Sequence, residues 1–224
     1  MHATLLIFAK YPHPGTVKTR LAATIGDTVA AQFYTQSAEY TILQAHAVGE
    51  FLDIHICYSD ARDEDVMKQW MTNIGLKTSL IPQFGSTLGE RMQNAIDSRF
   101  HESPTEPVLV IGTDAPDISA DVLRSALTAL TSKDIVLGPA VDGGFYLIGM
   151  NQYYPSLFDD IAWSSPMVAI QTIQKAEELN LNIALLDPLI DIDTLPDLRQ
   201  WLRLESTASD HPLYALAHQL ITHE

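Results

Sequence analysis

Several short clusters in this chain carry groups suited to phosphate. The first is Lys10-Tyr-Pro-His-Pro-Gly15-Thr-Val-Lys18-Thr19-Arg20. Residues 1–26 hold three cations and no acid, the first acid being Asp27, within a chain of net charge −15. Such a segment concentrates positive potential where a departing pyrophosphate or nucleoside diphosphate would need it. Pro14 and Gly15 shape a turn, and a helix beginning near Thr16 would add free backbone N–H groups as an anion site. Lys18 and Arg20 diverge on a helix, yet both can reach a polyphosphate lying across its start. The spacing is not that of a P-loop, because no G-x-x-x-x-G-K-[ST] occurs. The plainer alternative is a solvated loop whose bases offset neighbouring acids.

Carboxylates form the second group. Asp114 follows an apolar run directly, in Val-Leu-Val-Ile-Gly-Thr-Asp114-Ala-Pro, where it suits magnesium, which commonly takes one or two protein carboxylates plus water and phosphate oxygens. A turn-forming aspartate is the alternative, while Asp117 reads better as a helix-capping residue. Asp191 and Asp193 alternate in Leu-Ile-Asp-Ile-Asp-Thr, so an extended backbone puts both on one face. Their repulsion calls for a cation or a base between them. Asp193 or Thr194 could also cap the helix that opens at Leu195-Pro196. Asp142-Gly143-Gly144 reads as a hairpin turn or a close backbone approach to a ligand, with Tyr146 just beyond it. In Gln83-Phe-Gly-Ser-Thr-Leu88-Gly89-Glu-Arg91, the N–H groups of Leu88 and Gly89 could read a base or ribose. Glu90 and Arg91 read there as a surface pair.

These groups sit at the ends of apolar runs: Thr4–Ala9, Leu52–Tyr58, Thr78–Ile81, Val108–Gly112, Ile135–Leu137, Phe145–Gly149 and Ile183–Leu186. Amphipathic helical stretches alternate with them, at about 17–24, 27–48, 62–73, 88–100, 119–131, 165–180, 194–204 and 212–222. Alternation of this kind predicts an α/β body with a largely parallel sheet, and continuous apolar strands fit burial on both faces. Ligands of such sheets bind beyond the carboxyl ends of the strands, where the polar clusters fall. The segment 101–107 reads as a surface loop. With 224 residues and no repeat or low-complexity tract, a single domain spanning 1–224 is expected.

Composition narrows the classes. Hydrophobic residues make up 46% and charged residues 18%, which excludes a disordered chain. The 28 acids against 13 bases disfavour a nucleic-acid partner and an anionic membrane surface. No run reaches the length of a membrane span, and the start lacks the features of a signal peptide, so a cytoplasmic protein is expected. Cys57, the one cysteine, forms no internal disulfide and reads as a buried small hydrophobe. The scattered histidines do not suggest zinc, and Ser164-Ser165 lacks a nucleophile elbow. Trp70, Phe33 and Tyr40 fall on helical stripes and read as core.

Taken in order and spacing, FAKYPHPGTVKTRLA, QFGSTLGERM, IGTDAPDIS, GPAVDGGFYLIG and DIDTLPDL resemble the rSAM/selenodomain-associated transferase 1 family. That family lies within the nucleotide-diphospho-sugar transferase superfamily, and the likeness runs from about Leu5 to Leu204. More distantly, the first and last of these motifs are similar to phospholactate guanylyltransferase and molybdenum-cofactor nucleotidyltransferases. The resemblance implies a three-layer α/β/α GT-A fold with a mostly parallel, mixed central sheet. It implies phosphate contacts for Lys18 and Arg20, with Lys10, Gly15 and Thr19 in the same nucleotide loop. Leu88 and Gly89 match the loop near the nucleobase; Asp142, Gly143, Gly144 and Tyr146 match the acceptor side. Asp114 and Asp193 match the acids that hold Mg2+ or Mn2+. The first loop departs from the Leu-x-Gly-Gly-x-Gly-x-Arg pattern of sugar-phosphate nucleotidyltransferases, so no base preference carries over. Thr113-Asp114-Ala115 is not a D-x-D, which counts against glycosyl transfer.

The expectation is therefore a nucleotidyltransferase joining a nucleoside triphosphate to a small phosphorylated acceptor. The alternatives are a glycosyltransferase using a nucleotide-sugar, with Asp142 as base, and a nucleotide-binding module without turnover. Acceptor, base and homo-oligomeric state are left open.

Overall fold

A computed structural model describes residues 2–204 and 211–222. Strand β1 (Ala3–Ala9) shows why its sequence is apolar throughout. Leu5 and Ile7 pack into the hydrophobic cluster on one face of the sheet, while Leu6 and Phe8 pack into the cluster on the other. A strand covered on both faces has no solvent side to mark with polar residues. The remaining strands are β2 (Leu52–Tyr58), β3 (Ser79–Pro82), β4 (Val108–Ile111), β5 (Ile135–Pro139), β6 (Phe145–Met150) and β7 (Ile183–Leu185). They form one sheet in the order β3-β2-β1-β4-β6-β5-β7. Only β6 runs against its neighbours, β4 and β5; the other pairings are parallel.

Helices cover the two faces. Helices α2 (Asp27–His46), α3 (Glu64–Asn73) and α5 (Ala120–Ala129) supply Ile42, Trp70 and Leu123 to the first cluster. Helices α4 (Leu88–Glu102) and α6 (Val168–Glu178) supply Ile96 and Ala176 to the second. A third cluster joins α1 (Thr19–Ile25), the outer side of α2, α7 (Leu195–Trp201) and α8 (Tyr214–Thr222) around buried Phe33 and Trp201. Trp201 donates its indole N–H to Asp117 at 2.9 Å, a structural task for that aspartate. Cys57 is buried in the sheet. Phe33 and Trp70 are buried, whereas Tyr40 is half-buried and lies against His211, ring centroids 4.6 Å apart.

Helices α1 and α6 are among those that begin later than the sequence suggests. Helix α1 opens at Thr19, not near Thr16, because Lys18 adopts a left-handed backbone with φ 48° and breaks the helical run. Thr16 instead closes a turn onto the His13 carbonyl, through both its N–H and its hydroxyl. Helix α6 opens at Val168, after a turn in which the Ser165 hydroxyl accepts the Met167 N–H at 3.2 Å.

The order of strands decides where a ligand can enter. The chain leaves β1 for β2 and β3 on one side and returns to β4 on the other, so the direction reverses between β1 and β4. In open α/β sheets that reversal opens a crevice at the carboxyl ends of the strands. Beyond β7 the chain crosses the same edge. Leu186 bonds to Leu137, Leu189 to Pro139, and Ile192 to the Asp114 carbonyl at 3.0 Å. The crossing ends in a capping box: Thr194 caps α7, and Asp197 accepts from the N–H groups of Asp193 and Thr194. The backbone at Asp193 is thereby pinned while its side chain stays available. Thr194→Ala should cost about 1 kcal/mol of unfolding free energy, measurable as a lower urea midpoint with an unchanged slope.

Candidate functional site

At the β1/β4 crevice the positive first loop meets the carboxylates. The left-handed turn at Lys18 sends its side chain inward, leaving it 2% exposed, with Nζ 2.5 Å from Asp114 Oδ1 and 3.1 Å from Asp193 Oδ1. Burial lowers the pKa of an ammonium, but here Asp114 and Asp193 outweigh it and the Lys18 pKa is raised. Arg20 behaves differently. Its side chain is 77% exposed and its guanidinium lies 4.0 Å from Asp193 Oδ2. The two bases paired by sequence thus divide: one is committed to carboxylates, the other faces solvent at the rim.

Asp191 completes the acidic wall. Its Oδ1 is buried and has no hydrogen-bond partner among the described residues. Burial, reinforced by the charge of Asp114 and opposed by Lys18, pushes its carboxyl up to about 7. The opposite strand end is fixed by α2. The Tyr34 hydroxyl receives the Lys10 N–H at 3.0 Å and shares a 3.0 Å bond with the Thr113 hydroxyl. Ser37 donates to the Thr113 carbonyl at 3.1 Å. Burial and the neighbouring Asp114 charge push the Tyr34 phenol up to about 12, so it stays a neutral hydrogen-bonding tie.

A cavity of about 580 Å³ spans the crevice. Lys10, Lys18, Thr19, Arg20, Asp114, Asp193, Leu88 and Tyr146 all line it. Gly15, Gly89, Asp142, Gly143 and Gly144 do not. Gly15 holds a turn at φ 81°. Gly89 is packed under an indole: a Cβ there would come within 2.2 Å of Trp163 Nε1. Gly143, at φ 92°, closes the β5–β6 hairpin against the Pro166 carbonyl, and Asp142 Oδ1 accepts the Gly144 N–H at 2.8 Å. These glycines serve close packing and a tight turn.

Other cavity residues have a place that the sequence reading did not give them. Arg91 does not pair with Glu90. Its Nε donates to the Gly85 carbonyl at 3.1 Å, and the side chain reaches the cavity. Glu90 instead accepts the Ser86 N–H at 2.7 Å, ahead of a helix capped by Thr87. Gln83 is held by the Cys57 carbonyl at 2.7 Å and lines the same wall. The cavity therefore has an acidic side from the β4 and β7 ends, and cations from the β1 loop and α4.

The donor set fits a hard divalent cation. Asp114 and Asp193, half-exposed, direct oxygens at one point, and Asp191, with an unpartnered oxygen, lines the same cavity. No group of three His, Cys, Asp or Glu side chains among the described residues is arranged to hold a metal. Two carboxylates nevertheless suffice for magnesium when water and substrate oxygens complete its shell. No helix among the described residues is long and apolar enough to cross a membrane.

Comparison with known proteins shows what the chain is similar to. The model of the DUF2064 family, described as "Uncharacterized protein conserved in bacteria", matches residues 42–165. No curated protein matches the chain. Among solved structures, a proposed nucleotide-diphospho-sugar transferase from Desulfovibrio desulfuricans G20 is 34% identical, with a TM-score of 0.88, covering 100% of this chain and 98% of that one. The 4-diphosphocytidyl-2C-methyl-D-erythritol synthase of Anaerococcus prevotii DSM 20548 shares the fold at 13% identity and TM-score 0.57, over 88% of this chain and 94% of its own. The inositol-1-phosphate CTP transferase of T. maritima does so at 14% identity and TM-score 0.52, over 98% and 96%. The fold is thus the three-layer GT-A type with a mixed, mostly parallel sheet. If Gly89 serves the indole, Gly89→Ala should destabilise the protein by about 1–3 kcal/mol through overpacking. Thermal melts would show it without any ligand present.

Proposed function

The chain belongs to the DUF2064 family, and on that footing we propose that it is a nucleotidyltransferase working with Mg2+ or Mn2+, carried by one GT-A-like domain spanning 1–224. The acceptor is a small phosphorylated molecule. An oxygen of its phosphate attacks the α-phosphorus of a nucleoside triphosphate, a new P–O bond forms, and the bond to the β-phosphate breaks to release pyrophosphate. The observation that carries this reading is the meeting of Lys18, Asp114 and Asp193 in a cavity at the β1/β4 reversal. Use of a nucleoside triphosphate and a phosphorylated acceptor is suggested by a neighbour of the same fold, the inositol-1-phosphate CTP transferase of T. maritima. The finer assignment, to the rSAM/selenodomain-associated transferases, rests on the order of sequence motifs.

Each group has a task in that chemistry. Asp114 and Asp193 would hold the divalent ion, which supplies charge neutralisation on the phosphate oxygens when bound. Arg20, exposed at the rim, is free to swing onto the triphosphate, and Lys10 and Arg91 add positive potential from the far walls. An acceptor phosphate is already ionised near neutral pH, so little general-base help is needed. Positioning and charge stabilisation carry the rate. Elsewhere the surface is dominated by acids, which makes this cavity the attractive place for an anion.

Glycosyl transfer is the second reading, favoured by the description of the Desulfovibrio relative. It needs a base for an acceptor hydroxyl, and Asp142, the candidate from sequence, lies outside the cavity lining with one oxygen bound in its own turn. Products separate the readings. Pyrophosphate from a triphosphate supports nucleotidyl transfer, nucleoside diphosphate from a sugar nucleotide supports glycosyl transfer, and tight binding with neither product marks a module without turnover. Arg20→Ala should weaken nucleotide binding at least tenfold, the scale of a lost charge-assisted contact of about 1.5–3 kcal/mol. Its melting temperature should match wild type, because the side chain is mostly exposed; calorimetric titration and a thermal melt check both.

A further inference from the structure

Lys18 Nζ lies where the two carboxylates converge, within hydrogen-bond reach of an oxygen from each. That point is also the one a divalent ion held by Asp114 and Asp193 would share. The ammonium and the ion cannot occupy it together, since two cations at one point clash sterically and repel one another. We propose that Lys18 is a tethered counter-ion that exchanges partners: it neutralises Asp114 and Asp193 in the metal-free protein, and moves onto a phosphate of the nucleotide when the metal takes its place. The proposal rests on the metal–nucleotide reading above and adds the order of events that the site imposes.

Three observations support the exchange. First, the aspartates keep their places without Lys18. Asp193 is pinned through the backbone bonds to Asp197, and the Asp114 carbonyl is tied by Ile192. The neighbouring Thr113 is tied by Tyr34 and Ser37. Only one flexible side chain must move. Second, Lys18 holds a left-handed φ of 48°, a conformation that costs a non-glycine residue energy and persists where surrounding structure enforces it. Here it turns the stem inward from a loop whose next two residues line the cavity. Third, an ammonium driven from its carboxylates and left buried without a partner would be strongly disfavoured. The cavity is its polar destination, so a phosphate there makes its release favourable. Metal and nucleotide therefore assist each other's binding, and by reciprocity each strengthens the other by the same factor.

The test uses Mn2+ as the metal, with each of the four ribonucleoside triphosphates in turn, and reads protein-bound Mn2+ by electron paramagnetic resonance. Lys18→Met keeps the apolar stem and removes the charge. The variant should bind Mn2+ alone at least tenfold more tightly than wild type. The gain in Mn2+ affinity on adding nucleotide should be at least tenfold larger in wild type than in the variant. Equal Mn2+ affinities in the absence of nucleotide would overturn the exchange while leaving the metal–nucleotide reading standing. No bound Mn2+ in either protein under any condition would overturn both. A second measurement needs no substitution: in wild-type protein, saturating Mg2+ alone should raise the rate of reductive methylation at Lys18 at least tenfold, with Lys10 as internal reference. An unchanged rate would overturn the exchange even if Lys18→Met does not fold.

Discussion

A cation with almost no exposure, bound to two half-exposed carboxylates, sets the terms for the rest of this molecule. Lys18 would be costly to bury alone, and Asp114 and Asp193 would repel one another and Asp191 if left unneutralised. Each charge makes the others tolerable. The arrangement requires three separate parts of the chain to arrive at one point: the loop after β1, the loop after β4 and the crossing after β7. The architecture can be understood as the means of bringing them there.

Sheet order does most of this. Placing β4 beside β1, with β2 and β3 on the far side, opens the crevice into which both loops project. The antiparallel β6 then brings Phe145 and Tyr146 to the same edge from the opposite chain direction, so the cavity floor is continuous. The crossing after β7 is bonded in steps to β5 and finally to Asp114. It behaves as a brace across the strand ends, terminated firmly by the capping box on α7. Helices α1, α7 and α8 pack around Trp201 and the α2 residue Phe33 together with Ile190 and Ile192, tying the helix that follows the β1 loop to the crossing after β7.

How much of this can be read from residues alone varies with the physical origin of each feature. The strands are plain because burial on both faces leaves unbroken apolar runs, and each of the seven runs corresponds to a strand within a residue or two at most boundaries. The alternation of Asp191 and Asp193 is legible for the same kind of reason, and both line the cavity. The late start of α1 is not legible, because nothing in the identity of a lysine announces a left-handed backbone. The packing role of Gly89 is not legible, because the indole that fills the space beside its Cα, that of Trp163, lies far along the chain. The places of Arg91, Gln83 and Tyr34 in the cavity are not legible, because what holds each is a backbone group or a partner distant in sequence. The carboxylates and bases of the crevice stand out as charged types, whereas the division of labour between Lys18 and Arg20 depends on depth, which no spacing records.

One phenol carries a wider meaning. Because the Tyr34 oxygen touches both the residue following β1 and the residue preceding Asp114, it acts as a gauge block between the two jaws of the crevice. The backbone there has a set width, so adaptation to guests of different girth must be left to long side chains at the lip.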